Sequence, residues 1–521
     1  MKKSESDTVP SAQEALACDL LVIGGGINGA GIARDAAGRG LSVVLCEKDD
    51  LASHTSSAST KLVHGGLRYL EQYEFSLVRK ALIEREILMR SAPHIIKPLQ
   101  FVFPHDQGQR PAWMIRAGMF LYDHLARREI LPGSHAIDLR QHAAGAPLHG
   151  RLKKGFVYSD GWVDDARLVV LNAIDAAEKG ATILTRTRCV ALARQGMRWH
   201  ARLQVHDGRE ITVSARAIAN ATGPWAAEFA HQASNDEPKR TLRRSKGSHI
   251  VVKKLFDHDY AYIFQHPDGR IVFAIPYEQD YTLLGTTDLD FKGDNDAVHI
   301  SADETDYICQ LANHYFARQI SSSDVVWSYA GVRPLLEDAS ASAQEVTRDY
   351  KLELSASEPP MLSILGGKIT TFRKLAEEAV DLLAPLLGNA KPGWTAQACL
   401  PGGDLTGATP SARAVSGFGA FVQGLRAQYP WLSPALALRY GRAYGTRTHR
   451  MLKGCARLAD MGAEVARELY EIELRYLLEH EFARDDVDIL WRRSKLGLHL
   501  AAADSARVRE WCAHETESVR T

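Results

Sequence analysis

The sequence is short of several things that would each narrow its function. Seven cysteines in 521 residues (Cys18, Cys46, Cys189, Cys309, Cys399, Cys455 and Cys512) form no CxxC pair and no metal-ligand spacing, which speaks against a disulfide scaffold or a thiolate metal site and predicts reduced thiols and no metal. Net charge is absent too, because 63 Lys and Arg balance 63 Asp and Glu. Nucleic acid is therefore not an expected partner, and any anion must be held by a local group of Arg, Lys and backbone N–H. No apolar run reaches the roughly 20 residues of a membrane span. The nearest, 112–122, is interrupted by Arg116. Residues 1–17 are polar and of mixed charge, with no apolar signal-peptide core, and are expected to form a loose tail.

What is present is the composition of a folded protein, 45% hydrophobic and 24% charged, in a chain long enough for two or three domains. Residues 19–23 read as a buried strand running into Gly24-Gly-Gly-Ile-Asn-Gly-Ala-Gly-Ile-Ala33. A helix follows to about Gly38, then a second apolar strand, 41–46, ending at Glu47. That is a beta-alpha-beta unit near its minimal length. Residues 53–69, rich in Ser, Thr, Gly and His, suit a binding loop. Helices are predicted from Glu74 to before Pro93 and over 165–178. A strand-like stretch is predicted from 182 through 184 and on past Val190, strands at 199–205 and 211–214 flanking the turn pair Asp207-Gly208, and a separate short strand at 217–222. Period-2 stretches at 270–275 and 281–285 predict a mostly antiparallel sheet. An apolar strand at 361–365 leads into Gly366-Gly-Lys-Ile-Thr-Thr371 and a helix to about Leu387. Residues 411–521 read as helical almost throughout.

Gly24, Gly26 and Gly29 have the GxGxxG spacing: one glycine for the turn, one for close approach to a pyrophosphate, one for tight packing of a helix whose N-terminus favours anions. Glu47 falls where a carboxylate accepts from an adenosine ribose hydroxyl. This unit does not separate NAD from FAD. Dispersed partners favour FAD: Ser56 and Ser57, then Ala221, Thr222 and Gly223, then Gly367, Lys368 and Thr370. A long dinucleotide with a buried isoalloxazine ring needs such returns to one crevice, and no second fingerprint serves NAD. Lys368 at a strand–helix junction suits the negative charge that reduced flavin carries near N1 and O2.

The fingerprint, Ser56-Ser-Ala-Ser-Thr-Lys-Leu-Val-His-Gly-Gly-Leu-Arg-Tyr-Leu70, Lys246-Gly-Ser-His-Ile250, Gly285-Thr-Thr-Asp288, Gly331-Val-Arg-Pro-Leu335, Thr347-Arg-Asp349 and Gly366-Gly-Lys368 together closely resemble the FAD-dependent glycerol-3-phosphate dehydrogenases, nearest the bacterial aerobic enzyme. The likeness runs from about residue 18 through Glu473-Leu-Arg-Tyr-Leu-Leu-Glu-His480 and Trp491-Arg-Arg. It implies a Rossmann-type α/β FAD-binding domain, an antiparallel substrate-domain sheet as in D-amino acid oxidase, and a C-terminal helical cap. The expected division is a 1–17 tail, discontinuous FAD-binding and substrate-binding domains over 18–398 (FAD segments near 18–90, 160–230 and 345–390, substrate segments near 91–159 and 231–344), and a helical domain over 399–521. It further implies glycerol 3-phosphate as substrate, membrane quinone as acceptor, and peripheral attachment to the inner, cytoplasmic face of the cytoplasmic membrane. A homodimer is left open. The implied cofactor set adds Asn28, Lys61, His64, Gly65 and Gly66 to the residues already named.

Oxidising a secondary alcohol requires hydride removal from carbon and proton removal from oxygen, while the substrate phosphate calls for fixed cations. Arg68, Arg333, Arg348 and Lys368 form the cationic set, with Arg333 and Arg348 on the substrate side and Arg68 and Tyr69 as a second wall by resemblance. His249 is the preferred proton acceptor. His64 and Lys368 compete for the role. Residues 110–128 carry four arginines among large apolar side chains. A buried helix with snorkelling arginines accounts for them slightly better than one resting on an anionic surface. The rivals to the main reading are a glycerol-3-phosphate oxidase, a non-enzymatic flavin-containing membrane interaction protein and an NAD-dependent dehydrogenase.

Overall fold

A computed structural model describes residues 16–106, 109–234, 242–265, 270–336 and 349–518. The strand Leu16–Ile23 begins two residues inside the stretch expected as tail, and Leu20, Leu21 and Val22 are wholly buried, as a strand covered on both faces requires. It lies within a parallel run ordered Met361–Gly366, Glu210–Asn220, Leu16–Ile23, Val43–Cys46, Thr182–Leu184. Ile23 is level with both Cys46 and Asn220. The residues that follow, Gly24, Glu47 and Ala221, therefore emerge side by side at the carboxyl edge, where open α/β sheets bind ligands.

The helix Ile27–Gly38 packs on this sheet beside the helices Asp165–Glu178 and Phe372–Leu383. The last stops short of the expected Leu387. Pro385 has no N–H to extend the ladder and disfavours helical backbone in the residue before it. The strands expected separately at 211–214 and 217–222 are one strand, Glu210–Asn220. One of its edges runs along Leu16–Ile23. The other is taken first by Arg198–Val205, through the hairpin expected at Asp207-Gly208, and then by Met361–Gly366. The polar letters Ser214 and Arg216 mark this change of partner, and no turn intervenes.

Among the described residues the second sheet has ten strands and is antiparallel except where Ala261–Gln265 meets Ile96–His105. Period-2 burial separates its faces: Ile250 and Val252 pack with Ile308 and Phe316 on one side, Val251 with Phe101, Tyr277 and Leu283 on the other. The helix Ala112–His124 lies against this second face but buries only Met119 and Tyr122. Trp113 is 70% exposed and Phe120 59%, so the narrowly preferred reading of a buried helix is corrected. Its one arginine, Arg116, donates to Ser134, and Arg128 beyond its end pairs with Asp123. The C-terminal region is helical as expected, interrupted by a small hairpin, Glu464–Ala466 with Leu469–Tyr470.

Candidate active site

A cavity of about 660 Å³ runs from the carboxyl edge of the parallel sheet to the second sheet. Its first wall is the glycine turn. Gly24 takes a φ of +111°, and a Cβ there would lie 2.5 Å from the Ala221 carbonyl oxygen. Gly29 sits behind the turn rather than on the cavity; a Cβ there would lie 1.9 Å from the Gly24 oxygen, so only glycine lets the helix start this close. The Glu47 carboxylate faces the cavity and accepts from the N–H of Gly25 at 2.6 Å and of Asp49 at 2.9 Å. Burial raises its pKa against the pull of those amides. Ser56 Oγ accepts from Ile27 N–H at 3.0 Å, which ties the serine-rich loop to the helix start.

Farther along, Asn28 Nδ2 donates to the Gly366 carbonyl at 3.3 Å, while its Oδ1 is buried with no hydrogen-bond partner among the described residues. Gly366 and Gly367 have φ of +78° and +105° and bring Lys368 to the cavity, its Nζ 3.7 Å from the centre of the Tyr69 ring. Between strand and helix lies a short 3-10 turn, Ile369–Thr371, within which Thr370 Oγ1 accepts from the His64 N–H at 3.1 Å. His64 lines the cavity, and burial pushes its imidazole down to about 4. Gly66, Arg68, Ala221, Thr222 and Gly223 line it as well.

At the far end three adjacent strands, Leu242–Lys253, Tyr281–Gly285 and Val325–Leu336, bring separate motifs into register: His249 is opposite both Gly285 and Tyr329. Arg333 Nη2 donates to Thr286 Oγ1 at 2.9 Å, and Nη1 lies 3.3 Å from Asp288 Oδ1. The guanidinium rests on Gly247, where a Cβ would come within 2.2 Å of Nη2. His249 is wholly buried, stacked on Tyr329 with ring centres 4.8 Å apart, and does not line the cavity itself. Its Nε2 lies 3.0 Å from Thr60 Oγ1, which does. Burial, reinforced by Arg333 and Lys61, holds the ring well below the usual histidine range and therefore neutral.

Three further expected cofactor residues stand back from the cavity. Lys61 is buried and paired with Asp165 at 2.9 Å, Gly65 is wedged between Leu82 and Tyr122, and the Ser57 hydroxyl donates to the His54 carbonyl at 3.3 Å. Arg348 lies outside the described residues. Sequence reasoning missed Arg270, Phe273 and Trp225, which line the cavity; each is a single residue in an otherwise ordinary strand or turn and carries no motif. Thr60 sat inside a quoted motif, and its signal was its place in the hydroxyl-rich loop.

The strand-edge turn, the ribose-level carboxylate, the orphaned Asn28 acceptor and the cation beside two glycines fit a long dinucleotide with a flavin at the Lys368 end. Comparison with known proteins agrees. Residues 19–373 match the DAO family, described as FAD dependent oxidoreductase. The glycerol-3-phosphate dehydrogenase of Pseudomonas aeruginosa is 51% identical over 97% of both chains, and the D-erythritol 1-phosphate dehydrogenase of Brucella abortus 48% identical over 95% of this chain and 97% of its own. The glycerol-3-phosphate dehydrogenase from Bacillus halodurans, solved in complex with FAD, superposes with a TM-score of 0.76 at 28% identity, covering 96% of this chain and 90% of that one. The chain belongs to the DAO family of FAD-dependent oxidoreductases, among the relatives that include the FAD-dependent glycerol-3-phosphate dehydrogenases.

Proposed function

We propose that the chain oxidises sn-glycerol 3-phosphate to dihydroxyacetone phosphate and passes the electrons to membrane quinone. FAD, when bound, supplies the hydride acceptor. The observation that carries this reading is that Arg333, Arg68 and Lys368 line one cavity with Thr60, whose hydroxyl lies 3.0 Å from the buried, neutral His249. Arg333, fixed by Thr286, Asp288 and Gly247, offers a planar fork to the substrate phosphate. Arg68 and Tyr69 supply a second wall of the same pocket, and Arg348, outside the described residues, is assigned to the substrate by its motif alone. Thr60 takes the alcohol proton and hands its own to His249 Nε2, which lies within hydrogen-bond reach and has a free nitrogen in the neutral ring; burial, Arg333 and Lys61 disfavour the imidazolium, so that proton must leave the ring again. Gly24, Gly26, Asn28, Glu47, Ser56, Ala221, Thr222, Gly223, Gly367 and Thr370 hold the cofactor. Lys61, Ser57 and Gly65 shape its loop from behind.

Among the described residues no helix is long and apolar enough to cross a membrane. We place the contact with the inner face of the membrane at the helix Ala112–His124, whose Trp113 and Phe120 are exposed and which is followed in the chain by Arg127, its side chain 88% exposed. An anaerobic titration of the FAD-loaded protein tests the chemistry. Glycerol 3-phosphate should bleach the oxidised-flavin absorbance; bleaching by D-erythritol 1-phosphate alone would move the substrate to the Brucella relative's, and persistence with both would overturn the reading. Reoxidation by a quinone analogue but not by oxygen should distinguish the dehydrogenase from an oxidase.

A further inference from the structure

A second cavity, of about 410 Å³, opens where the strand Ile96–His105 meets the C-terminal helices. Among the described residues none lines both cavities, although the strand Ile271–Tyr277 touches each, with Phe273 in the first and Pro276 in the second. The walls of the second include the apolar Ile96, Leu99, Trp162 and Phe418. Two cations from different elements line it: Lys97 from the strand Ile96–His105 and Arg442 from the helix Pro434–Tyr444.

Neither cation is held by an ion pair among the described residues. Arg442 donates from Nη1 to the His94 carbonyl at 3.4 Å, and its guanidinium carbon lies 3.6 Å from the centre of the Phe418 ring. Lys97 Nζ lies 5.2 Å from the Trp162 ring centre. Burial pulls Arg442 down to about 10 and lowers Lys97, which Arg442 also repels. Two carboxylates act on Lys97 from beyond ion-pair range, Glu278 and the exposed rim residue Asp259. Elsewhere the fold settles its buried cations differently: Arg85, Arg167, Arg373 and Arg493 each meet a carboxylate directly. Two partly desolvated like charges beside an aromatic wall cost stability that an incoming anion would return.

We propose that this cavity is a second ligand site, taking an organic anion whose phosphate or carboxylate headgroup sits between Lys97 Nζ and the Arg442 guanidinium and whose apolar body lies against Trp162 and Phe418. The guanidinium fork suits either headgroup, and the volume suits a small metabolite.

Lysine footprinting on the FAD-loaded protein tests it, with phenyl phosphate and benzoate as probes and acetylation by an uncharged acyl ester read peptide by peptide. Either probe should slow acetylation of Lys97 about tenfold or more, leaving the exposed Lys453 unaffected, and Arg442→Gln should abolish that protection. Protection by phenyl phosphate alone identifies a phosphate site, by benzoate alone a carboxylate site, and by both a site for either headgroup. Protection by neither at concentrations on the order of 10 mM, or protection that survives Arg442→Gln, would overturn the proposal. Should Arg442→Gln fold poorly, Lys97→Gln gives a second reading: the probe should raise the melting temperature of the parent protein and not that of the variant through this site. An equal rise in both, with Lys97 unprotected, also counts against it. Flavin reduction by substrate should persist in both variants, since neither side chain lines the cofactor cavity.

Discussion

At the scale of residues, the arrangement of Arg333 depends on what is missing beneath it. A methyl group at Gly247 would fall 2.2 Å from Nη2, so Gly247→Ala must push the guanidinium off Thr286 and Asp288 without removing its charge. If Arg333 binds the substrate phosphate through directed hydrogen bonds, Arg333→Ala should raise KM by roughly 10- to 100-fold. Gly247→Ala should follow in the same direction while FAD stays bound; steady-state kinetics with a soluble acceptor and the flavin spectrum check both. An unchanged KM in Arg333→Ala would remove it from the substrate side. His249 and His94 raise a separate matter, because both are wholly buried and held neutral, His94 pushed down to about 3. Their folded pKa values lie below the unfolded value of about 6.5, so the unfolded chain binds more protons once pH falls below that. The stability associated with them is fully present above about pH 6.5 and drains as pH falls, by about 1.4 kcal/mol per pH unit for each histidine. Denaturant unfolding at stepped pH should therefore give a steeper acid loss for the parent than for His94→Asn, measured as the slope of stability against pH.

At the scale of elements, the sequence was informative wherever local chemistry and tertiary role coincide. The glycine fingerprint needs its turn, helix and flanking strands to be what they are, so 19–47 was legible almost residue by residue, and the helix Asp165–Glu178 was bounded by Asp164, whose carboxylate accepts from the Arg167 N–H. It was less informative where an element's boundary is set by its neighbours. The strand Glu210–Asn220 is continuous because two successive partners pair one edge, which no local pattern encodes. The far end of the cavity was legible as motifs, whereas Arg270 and Phe273 join it only through the register of the second sheet. Lys61 illustrates the converse: a motif lysine whose Nζ turns inward to Asp165 and the Ser57 carbonyl, a choice decided by packing. The helix Ala112–His124 belongs to this scale as well. Its letters fit a buried face or a surface one, and only the packed structure separates Met119 and Tyr122 from Trp113 and Phe120. Replacing Trp113 and Phe120 together by Glu should weaken sedimentation with anionic vesicles by tenfold or more, since it removes two insertable aromatics and adds repulsion, on the order of 1 kcal/mol per charge. Turnover with a soluble acceptor should hold. Undiminished vesicle binding would move the membrane surface elsewhere.

At the scale of the whole molecule, the C-terminal helices are clamped to the cofactor sheet by charges sealed from water. Arg493, wholly buried, donates from Nη2 to Asp50 Oδ1 at 2.8 Å and to the Glu481 carbonyl at 2.7 Å; Arg492 adds a second cation to Asp50 at 2.5 Å, and Arg167 reaches across to Glu481. The same segment also touches the second sheet: Trp491 stacks on Trp327 with ring centres 4.7 Å apart, and the Leu498 carbonyl accepts from Tyr281. One C-terminal turn thus braces both sheets around the cavity between them. Asp50 sits in the loop that closes the cofactor end, where the Ala52 N–H donates to the Gly25 carbonyl and the Asp50 N–H to Ser53 Oγ. Asp50→Asn keeps the shape but leaves the buried Arg493 without its counter-charge, while Arg492 keeps its pair with Asp488; breaking a buried pair costs about 3 to 5 kcal/mol. Because the loop and the clamp share this residue, the loss should appear twice, as a lower melting temperature and as faster release of FAD. Lowered melting with FAD affinity intact would mean that the clamp braces the C-terminal helices alone and that the glycine turn holds the cofactor without it.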